Sequence, residues 1–143
     1  MKKLVIMRGL PGSGKSTKAK ELDTEHYNST GKHAIVCSAD SYFIGKDGIY
    51  NFNAKLLGHA HQTCIHNAAL AMENENELVI VDNTNTTKWE FARYLEMAKF
   101  YHYEIEIVSV GERTPEAIQT YFNRNIHCVP LEAIQRMANR WED

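Results

Sequence analysis

Short apolar runs and amphipathic stretches alternate along the chain. The apolar runs predict four β-strands, over Lys3–Met7, Ala34–Cys37, Leu78–Val81 and Tyr103–Val110. The stretches between and after them predict helices over Ser16–His26, Asn53–Glu73, Thr87–Tyr101, Pro115–Asn123 and Pro130–Trp141. Strands that alternate with helices are typical of a parallel sheet covered on both faces. We therefore expect one three-layer α/β domain over residues 1–143, with a mostly parallel sheet of about four to five strands.

The same pattern predicts where the core lies. The second and third strands are nearly continuous apolar runs, which indicates burial on both faces. The aromatic residues between Trp89 and Tyr103 recur at helical spacing, and we expect them in the core. The long middle helix carries an apolar stripe at three- and four-residue intervals, formed by Leu56, Leu57, Ala60, Cys64, Ala68, Ala71 and Met72.

A glycine-rich loop follows the first strand. Residues 9–16, GLPGSGKS, fit the pattern G-x-x-x-x-G-K-[ST], which is the phosphate-binding loop of the P-loop NTPase fold. In such a loop successive backbone N–H groups point at one anion, and the following helix adds its positive N-terminal end. Lys15 is predicted to reach the β- and γ-phosphates of ATP, and Ser16 to bind Mg²⁺. The residues predicted to bind the nucleotide are Gly9, Pro11, Gly12, Ser13, Gly14, Lys15, Ser16 and Thr17.

Two aspartates follow the other inner strands, at the edge where open α/β sheets bind ligands. Asp82 directly follows the third strand, and we expect its carboxylate to support Mg²⁺. Asp40 follows the second strand, where a carboxylate suits a general base that takes a proton from an attacking hydroxyl. Each could instead be a strand-end aspartate that caps a turn. Together with the loop they favour phosphoryl transfer over nucleotide binding alone.

Phosphoryl transfer also needs cations that hold the charge of the transferred group. Arg124, between the last two predicted helices, is the first candidate, and a solvated helix-end arginine is the alternative. Arg8 and Arg113 are weaker candidates, because one precedes the loop and the other follows the last strand.

Two further groups of residues allow more than one interpretation. His59, His61 and His66 lack the spacing of a metal site, so we expect no structural metal, although His61 could line the cleft. The aromatic residues after Asp40 could pack in the core or form a surface on which a base or sugar stacks; they are Tyr42, Phe43, Tyr50 and Phe52.

Composition narrows the class of protein. The chain has 143 residues, of which 43% are hydrophobic, and a formal net charge of −2, so there is no bulk attraction to nucleic acid. We expect a cytoplasmic protein: the first apolar stretch is a short strand, and no segment approaches the ~20 apolar residues of a membrane helix. Its cysteines, Cys37, Cys64 and Cys128, are expected to be reduced thiols.

The motifs together resemble those of the polynucleotide 5′-hydroxyl kinase family, over nearly the whole chain. The resemblance rests on GLPGSGKST at 9–17, SADSY at 38–42, VDNTN at 81–85, and Arg124-Asn125 followed by Val129-Pro130. It implies transfer of the ATP γ-phosphate to a 5′-OH end of DNA or RNA. By this match Asp40 is the general base, Asp82 supports the metal, and Arg124 supplies charge from a lid.

Two departures from the family pattern concern the acceptor. Phe43 stands where the phage enzyme of this family has an arginine on the acceptor's phosphate side, and the lid segment after Arg124 is short. Two alternatives therefore remain open: a kinase for a nucleoside, nucleotide or other small metabolite, and a non-catalytic module that binds ATP.

Overall fold

The structure is a computed structural model that describes residues 1–125 and 127–143. Within these residues four strands alternate with five helices. The strands are β1 (Lys3–Arg8), β2 (Ile35–Cys37), β3 (Leu78–Asp82) and β4 (Glu104–Ser109). The helices are α1 (Lys15–Thr30), α2 (Leu57–Glu73), α3 (Lys88–Phe100), α4 (Pro115–Arg124) and α5 (Leu131–Asn139). Two short 3₁₀ turns, Ala39–Phe43 and Ala54–Leu56, lie between β2 and α2.

All strand pairs in the sheet are parallel, in the order β2-β3-β1-β4. Met7 lies beside Asp82 in the register of β1 and β3, and Cys37 lies beside Val81 in the register of β2 and β3. The carboxyl ends of β1, β2 and β3 therefore meet at one edge of the sheet. This confirms the predicted P-loop NTPase fold, with a parallel sheet and helices on both faces.

Side chains of β1 and β3 alternate between two cores. Leu4 and Ile6 face α2 and α3, while Val5 and Met7 face α1. All five residues of β3 are buried, as its sequence predicts. A third, smaller core joins α4 and α5 to the phosphate loop through Leu10, and its other buried members are Ile118, Tyr121 and Ile134. This third core holds α4 and α5 against the loop.

Helix starts follow the sequence signals. The carboxylate of Glu90 accepts a hydrogen bond of 2.7 Å from the N–H of Thr87, which forms a capping box at the start of α3. The hydroxyl of Thr114 accepts from the N–H of Ala117 at 3.1 Å, next to the proline that begins α4.

Three predictions about burial are wrong. β2 is an edge strand of three residues, and its Ile35 and Val36 are exposed because no strand covers its outer side. Leu56 ends the second 3₁₀ turn and Leu57 begins α2, and both are exposed because they precede the part of the helix that packs on the sheet. Of the aromatic residues from 89 to 103, Phe91, Tyr94 and Tyr103 are in the core, whereas Trp89 and Phe100 at the two ends of α3 are about three-quarters exposed.

No helix in the described part of the chain combines the length and the apolar character that crossing a membrane requires.

Candidate active site

The phosphate loop has the backbone that its glycines predict. Gly12 and Gly14 have φ angles of 80° and 101°, in the left-handed region that favours glycine. α1 begins at Lys15, and its cap residue Gly14 provides no side chain to cap the first N–H groups. The amide end of α1 therefore faces the loop, as anion binding at a helix N-terminus requires.

Ser16 and Asp82 are brought together beneath this loop. The Ser16 hydroxyl donates a hydrogen bond of 2.8 Å to Oδ2 of Asp82. The other carboxylate oxygen, Oδ1 of Asp82, is buried and has no hydrogen-bond partner among the described residues. A hydroxyl and a carboxylate are the oxygen ligands that Mg²⁺ prefers, so this pair fits the predicted metal. The hydroxyl of Ser13, in the loop itself, is buried and unpaired among the described residues in the same way.

Lys15 lies in the same cleft, and its ammonium group has few hydrogen-bond acceptors among the described residues. Its ammonium makes one long hydrogen bond, 3.4 Å to the carbonyl of Leu10. Burial lowers the pKa of Lys15, and the nearby carboxylates of Asp82 and Asp40 oppose this effect only in part. A half-buried cation with an incomplete set of acceptors suits a lysine that binds phosphate.

Asp40 lies in the 3₁₀ turn after β2, and Asn83 fixes the position of this turn. The side-chain oxygen of Asn83 accepts from the N–H of Ala39 at 2.9 Å, which links the ends of β2 and β3. The Asp40 carboxylate is exposed and has two neighbours. Nδ1 of His127 lies 3.4 Å from Oδ2, and the hydroxyl of Tyr50 donates to Oδ1 at 3.5 Å. Burial, and then the Asp40 charge, raise the pKa of Tyr50 to about 12, so this hydroxyl stays protonated.

Arg124 reaches the phosphate loop from the C-terminal end of α4. Its Nε donates a hydrogen bond of 2.6 Å to the carbonyl of Gly12, and its guanidinium lies over the ring of Tyr121. The loop and α4 are in close contact: a Cβ on Gly12 would lie 2.4 Å from the backbone oxygen of Tyr121. The structure therefore places the predicted lid arginine beside the loop.

Arg8 and Arg113, the weaker candidates for the cation in the cleft, both contact Trp141 in the C-terminal segment. Arg8 is 5% exposed and donates to the carbonyls of Asn85 and Thr86 at 2.8 and 3.0 Å. Its guanidinium stacks on Trp141, and Arg113 stacks on the same ring. They hold the C-terminal segment against the sheet, so the idea that they carry charge into the cleft is not supported by their contacts.

The remaining candidate residues differ in how far they are exposed to solvent. His59, His61 and His66 are exposed on α2. Of the aromatic residues after Asp40, Phe43 is buried, Tyr50 is half-buried, and Tyr42 and Phe52 are exposed; this group thus contains both core and surface. Cys37 and Cys64 are buried free thiols, Cys128 is exposed, and burial raises the pKa of Cys37 to about 12. Ile126, in the predicted lid segment, lies outside the described residues.

Sequence reasoning assigned no role to two residues of this site. His127 contacts Asp40 from 87 positions away, and no local pattern relates the two. Asn85 has a φ angle of 47°, and its amide donates to the carbonyl of Met7 at 2.8 Å, which ties the β3 loop to the end of β1. Its position directly after the run Asp82-Asn83-Thr84, at the end of β3, was the sequence signal that could have pointed to this role.

The comparison with known families agrees with this geometry. The family model described as an AAA domain matches residues 4–142. The chain belongs to this AAA domain family. The chain carries the phosphate-binding loop at residues 9–16, and its solved structural neighbours include one in complex with ADP-AlF3.

Relatives and solved structures place this AAA domain in context. It is 34% identical over 139 residues to human NEDD4-binding protein 2, covering 97% of the chain but 8% of that protein. It spans about a quarter or less of the first curated relatives that it matches. Kti12 of Chaetomium thermophilum in complex with ADP-AlF3 gives a TM-score of 0.67 at 18% identity, over 98% of this chain and 80% of that one.

Two other solved structures share this fold. The Pnkp1/Rnl/Hen1 complex gives a TM-score of 0.61 at 20% identity, over 82% of this chain and 38% of that one. A gluconokinase from Sinorhizobium meliloti 1021 gives 0.62 at 16% identity, over 99% and 75%. At these identities the likeness concerns the fold of the AAA domain, and the acceptor stays unresolved.

Proposed function

We propose that this chain is an ATP- and Mg²⁺-dependent phosphotransferase that moves the γ-phosphate of ATP to a 5′-hydroxyl end of DNA or RNA. One observation carries the catalytic part: the two strand-end carboxylates have different partners. Asp82 is hydrogen-bonded to the loop residue Ser16, whereas the Asp40 carboxylate contacts His127 and Tyr50. One carboxylate thus serves the nucleotide side of the cleft and the other the acceptor side.

The roles of the residues follow from this division. Ser16 and Asp82 would hold Mg²⁺, which neutralises charge on the β- and γ-phosphates when it is bound. Lys15 pairs with the same phosphates, and Arg124 lies close enough to the loop to meet the charge that develops on the γ-phosphate. These residues prepare ATP for attack.

Asp40 supplies the proton transfer. Its carboxylate takes the proton of the acceptor hydroxyl while the hydroxyl oxygen forms a bond to the γ-phosphorus. The bond from that phosphorus to the bridging β-oxygen breaks, and ADP leaves with the electron pair. The exposed position of Asp40 gives an acceptor access to it.

A nucleic-acid acceptor is supported by the motif resemblance over nearly the whole chain. It covers the loop, the segment around Asp40, the run after Asp82, and Arg124 with its following residues. A fold shared with the Pnkp1 complex is compatible with it.

A small-molecule acceptor is the second candidate, and Phe43 favours it. This residue occupies the position of the acceptor-side arginine in the phage enzyme, and here it is 5% exposed and packed in a small core with Ala39 and Ala60. It offers no charge to an acceptor phosphate. A fold shared with a gluconokinase is compatible with this candidate.

The experiment is a transfer assay with γ-labelled ATP, Mg²⁺ and a panel of acceptors. The panel contains 5′-OH DNA and RNA oligonucleotides, the same strands with a 5′-phosphate, nucleosides, and gluconate. Label on the 5′-OH strands alone supports the proposal and ranks DNA against RNA. Label on a nucleoside or gluconate alone supports the second candidate. ATP-dependent thermal stabilisation with no transfer to any acceptor indicates a binding module instead.

A further inference from the structure

His127 bridges two parts of the candidate acceptor side. It lies in the segment between α4 and α5, and its imidazole stacks on the ring of Tyr50, with centroids 4.1 Å apart and planes 13° from parallel. The same imidazole places Nδ1 3.4 Å from the carboxylate of Asp40. A flat nitrogen heterocycle therefore covers an aromatic face directly beside the proposed general base.

Tyr50 is held in place without the help of His127. It pairs with Ile44 in an antiparallel bridge, and the next residue, Asn51, donates to the carbonyl of Phe43 at 2.8 Å. The ring of Phe43, which is buried, packs against Tyr50 edge to face at 6.2 Å. Phe52 lies nearly parallel to Tyr50, at 14°. The Tyr50 ring is thus a supported platform.

The contacts of His127 are weaker. Its Nδ1 lies a long 3.4 Å from the Asp40 carboxylate, and its backbone N–H donates to the side chain of Asn125 at 2.9 Å, within the short segment between two helices. Arg124, at the start of this segment, binds the carbonyl of Gly12 in the loop that would receive ATP. Phosphates bound in the loop would compete with the Gly12 carbonyl for this arginine. Because Arg124 and His127 lie in the same segment, we expect nucleotide binding to affect the position of His127.

We infer that the Tyr50 ring is the surface on which the base of the acceptor's terminal nucleotide stacks, and that the His127 imidazole stands in for this base in the free protein. This inference rests on the proposed function and specifies its acceptor as one that carries an aromatic base beside the reacting hydroxyl. The hydroxyl of Tyr50, 3.5 Å from Asp40, shows that the platform and the general base are within reach of one nucleoside. Polyol acceptors have no π-face for this platform.

The test compares a 5′-OH oligonucleotide with the same strand whose 5′-terminal residue lacks its base but keeps its sugar and hydroxyl. With saturating ATP and Mg²⁺, wild-type protein should show an acceptor KM roughly 5–150-fold higher for the abasic strand, the range of one base–aromatic stack. Tyr50→Leu should show the higher KM for both strands, with no further penalty for the abasic one. A Tyr50→Leu variant that keeps the wild-type penalty overturns the inference.

Two further variants separate stacking from other roles of Tyr50. Tyr50→Phe keeps the ring but loses the hydroxyl that donates to Asp40, so a change in its kcat is expected, while the abasic strand should keep its wild-type KM penalty. Loss of that penalty, as in Tyr50→Leu, would assign the effect to the hydroxyl and overturn the inference. Tyr27→Leu is the matched control, because Tyr27 also stacks on a histidine that contacts an aspartate, His33 with Asp23, but far from the loop. It should behave as wild type. Thermal stabilisation by ATP shows that each variant is folded.

His127→Ala should change the acceptor KM in the direction opposite to Tyr50→Leu. Removing the imidazole frees the platform, so the acceptor KM should fall by about 2-fold or more. A rise in KM would mean that His127 binds the acceptor itself, which contradicts the inference. Failure of the two proposals is distinguishable: transfer with equal KM for normal and abasic strands overturns the stacking site alone, whereas no transfer to any oligonucleotide overturns the nucleic-acid function and the stacking site with it.

Discussion

The Ser16 hydroxyl donates a hydrogen bond of 2.8 Å to Oδ2 of Asp82, which connects the phosphate loop to the end of β3. The two residues are 66 positions apart, and the parallel pairing of β1 with β3 brings them together. Oδ1 of Asp82 has no partner among the described residues although it is buried. Ser16 and Asp82 are the residues that would hold a divalent cation here, and such a cation would give Oδ1 the partner that it lacks.

We therefore expect Mg²⁺ to increase the thermal stabilisation that ATP gives, and Asp82→Asn to remove this increase. Ligand at 100 times its Kd stabilises a protein by about 2.7 kcal/mol, which a thermal shift measures readily. The experiment compares ATP with Mg²⁺ and ATP with a chelator. Asp143→Asn is the control, because the Asp143 side chain is 94% exposed. An unchanged Mg²⁺ increment in Asp82→Asn would contradict the metal assignment.

Lys15 should destabilise the nucleotide-free protein. Burial lowers its pKa below the ordinary lysine value of 10.5, so the folded state binds this proton less tightly than the unfolded chain. Lys15→Met is expected to raise the Tm without ligand by a few degrees and to abolish stabilisation by ATP.

The pH dependence of this difference has a defined sign. Between the lowered pKa and 10.5 the unfolded chain holds more protons, so the wild-type protein gains stability relative to Lys15→Met as the pH rises through that window. Below the window the full cost of the buried charge remains. A Lys15→Met variant that is less stable than wild type at neutral pH would contradict this account.

Gly12 should be the least replaceable glycine of the loop. Its φ angle is 80°, and an added Cβ would lie 2.4 Å from the backbone oxygen of Tyr121. Gly31 has a similar φ of 76° and nothing within 4 Å of the added atom, so Gly31→Ala measures the conformational cost alone. We expect about 1–2 kcal/mol of lost unfolding free energy for Gly31→Ala, and a clearly larger loss for Gly12→Ala.

Urea unfolding of the two alanine variants checks this prediction. Equal losses in the two variants would mean that α4 moves away from the loop without cost, and that the close contact between them carries no stability.

Trp141 should anchor the C-terminal segment. The guanidinium groups of Arg8 and Arg113 lie 4.4 and 4.2 Å from its ring centre, and the neighbouring Glu142 binds the N–H of Lys88 at the start of α3. Trp141→Ala is expected to cost about 2 kcal/mol. Trp89→Ala, at a site that is 77% exposed, should cost less than about 0.5 kcal/mol. Similar losses for both tryptophans in urea unfolding would be inconsistent with this anchor.

Local patterns were sufficient for the elements and for much of the site. Gly12, Gly14 and Lys15 form the loop because glycine spacing and a following helix are local properties of the chain. The end of β3 at Asp82 could be read from the change from apolar to polar residues. The order of the strands, however, depends on which strand pairs with which.

Contacts between distant segments could not be predicted. Ile35 and Val36 have the same apolar character as the buried residues of β3, and only the sheet order makes them an edge. His127 reaches Asp40 because the third core seats α4 and α5 on the loop. Trp89 follows the helical spacing of its neighbours, and its exposure is decided by what packs against the first turn of α3.

The proposed function depends above all on Asp40 as the acceptor of the proton of the attacking hydroxyl. The most direct measurement is the single-turnover rate of γ-phosphate transfer from ATP to a 5′-OH oligonucleotide, for wild type and Asp40→Asn, together with the thermal stabilisation that ATP and Mg²⁺ give each protein. We predict that Asp40→Asn keeps the stabilisation and loses roughly 10²-fold or more in transfer rate, the scale of general base catalysis. A near-normal transfer rate in Asp40→Asn would contradict the claim.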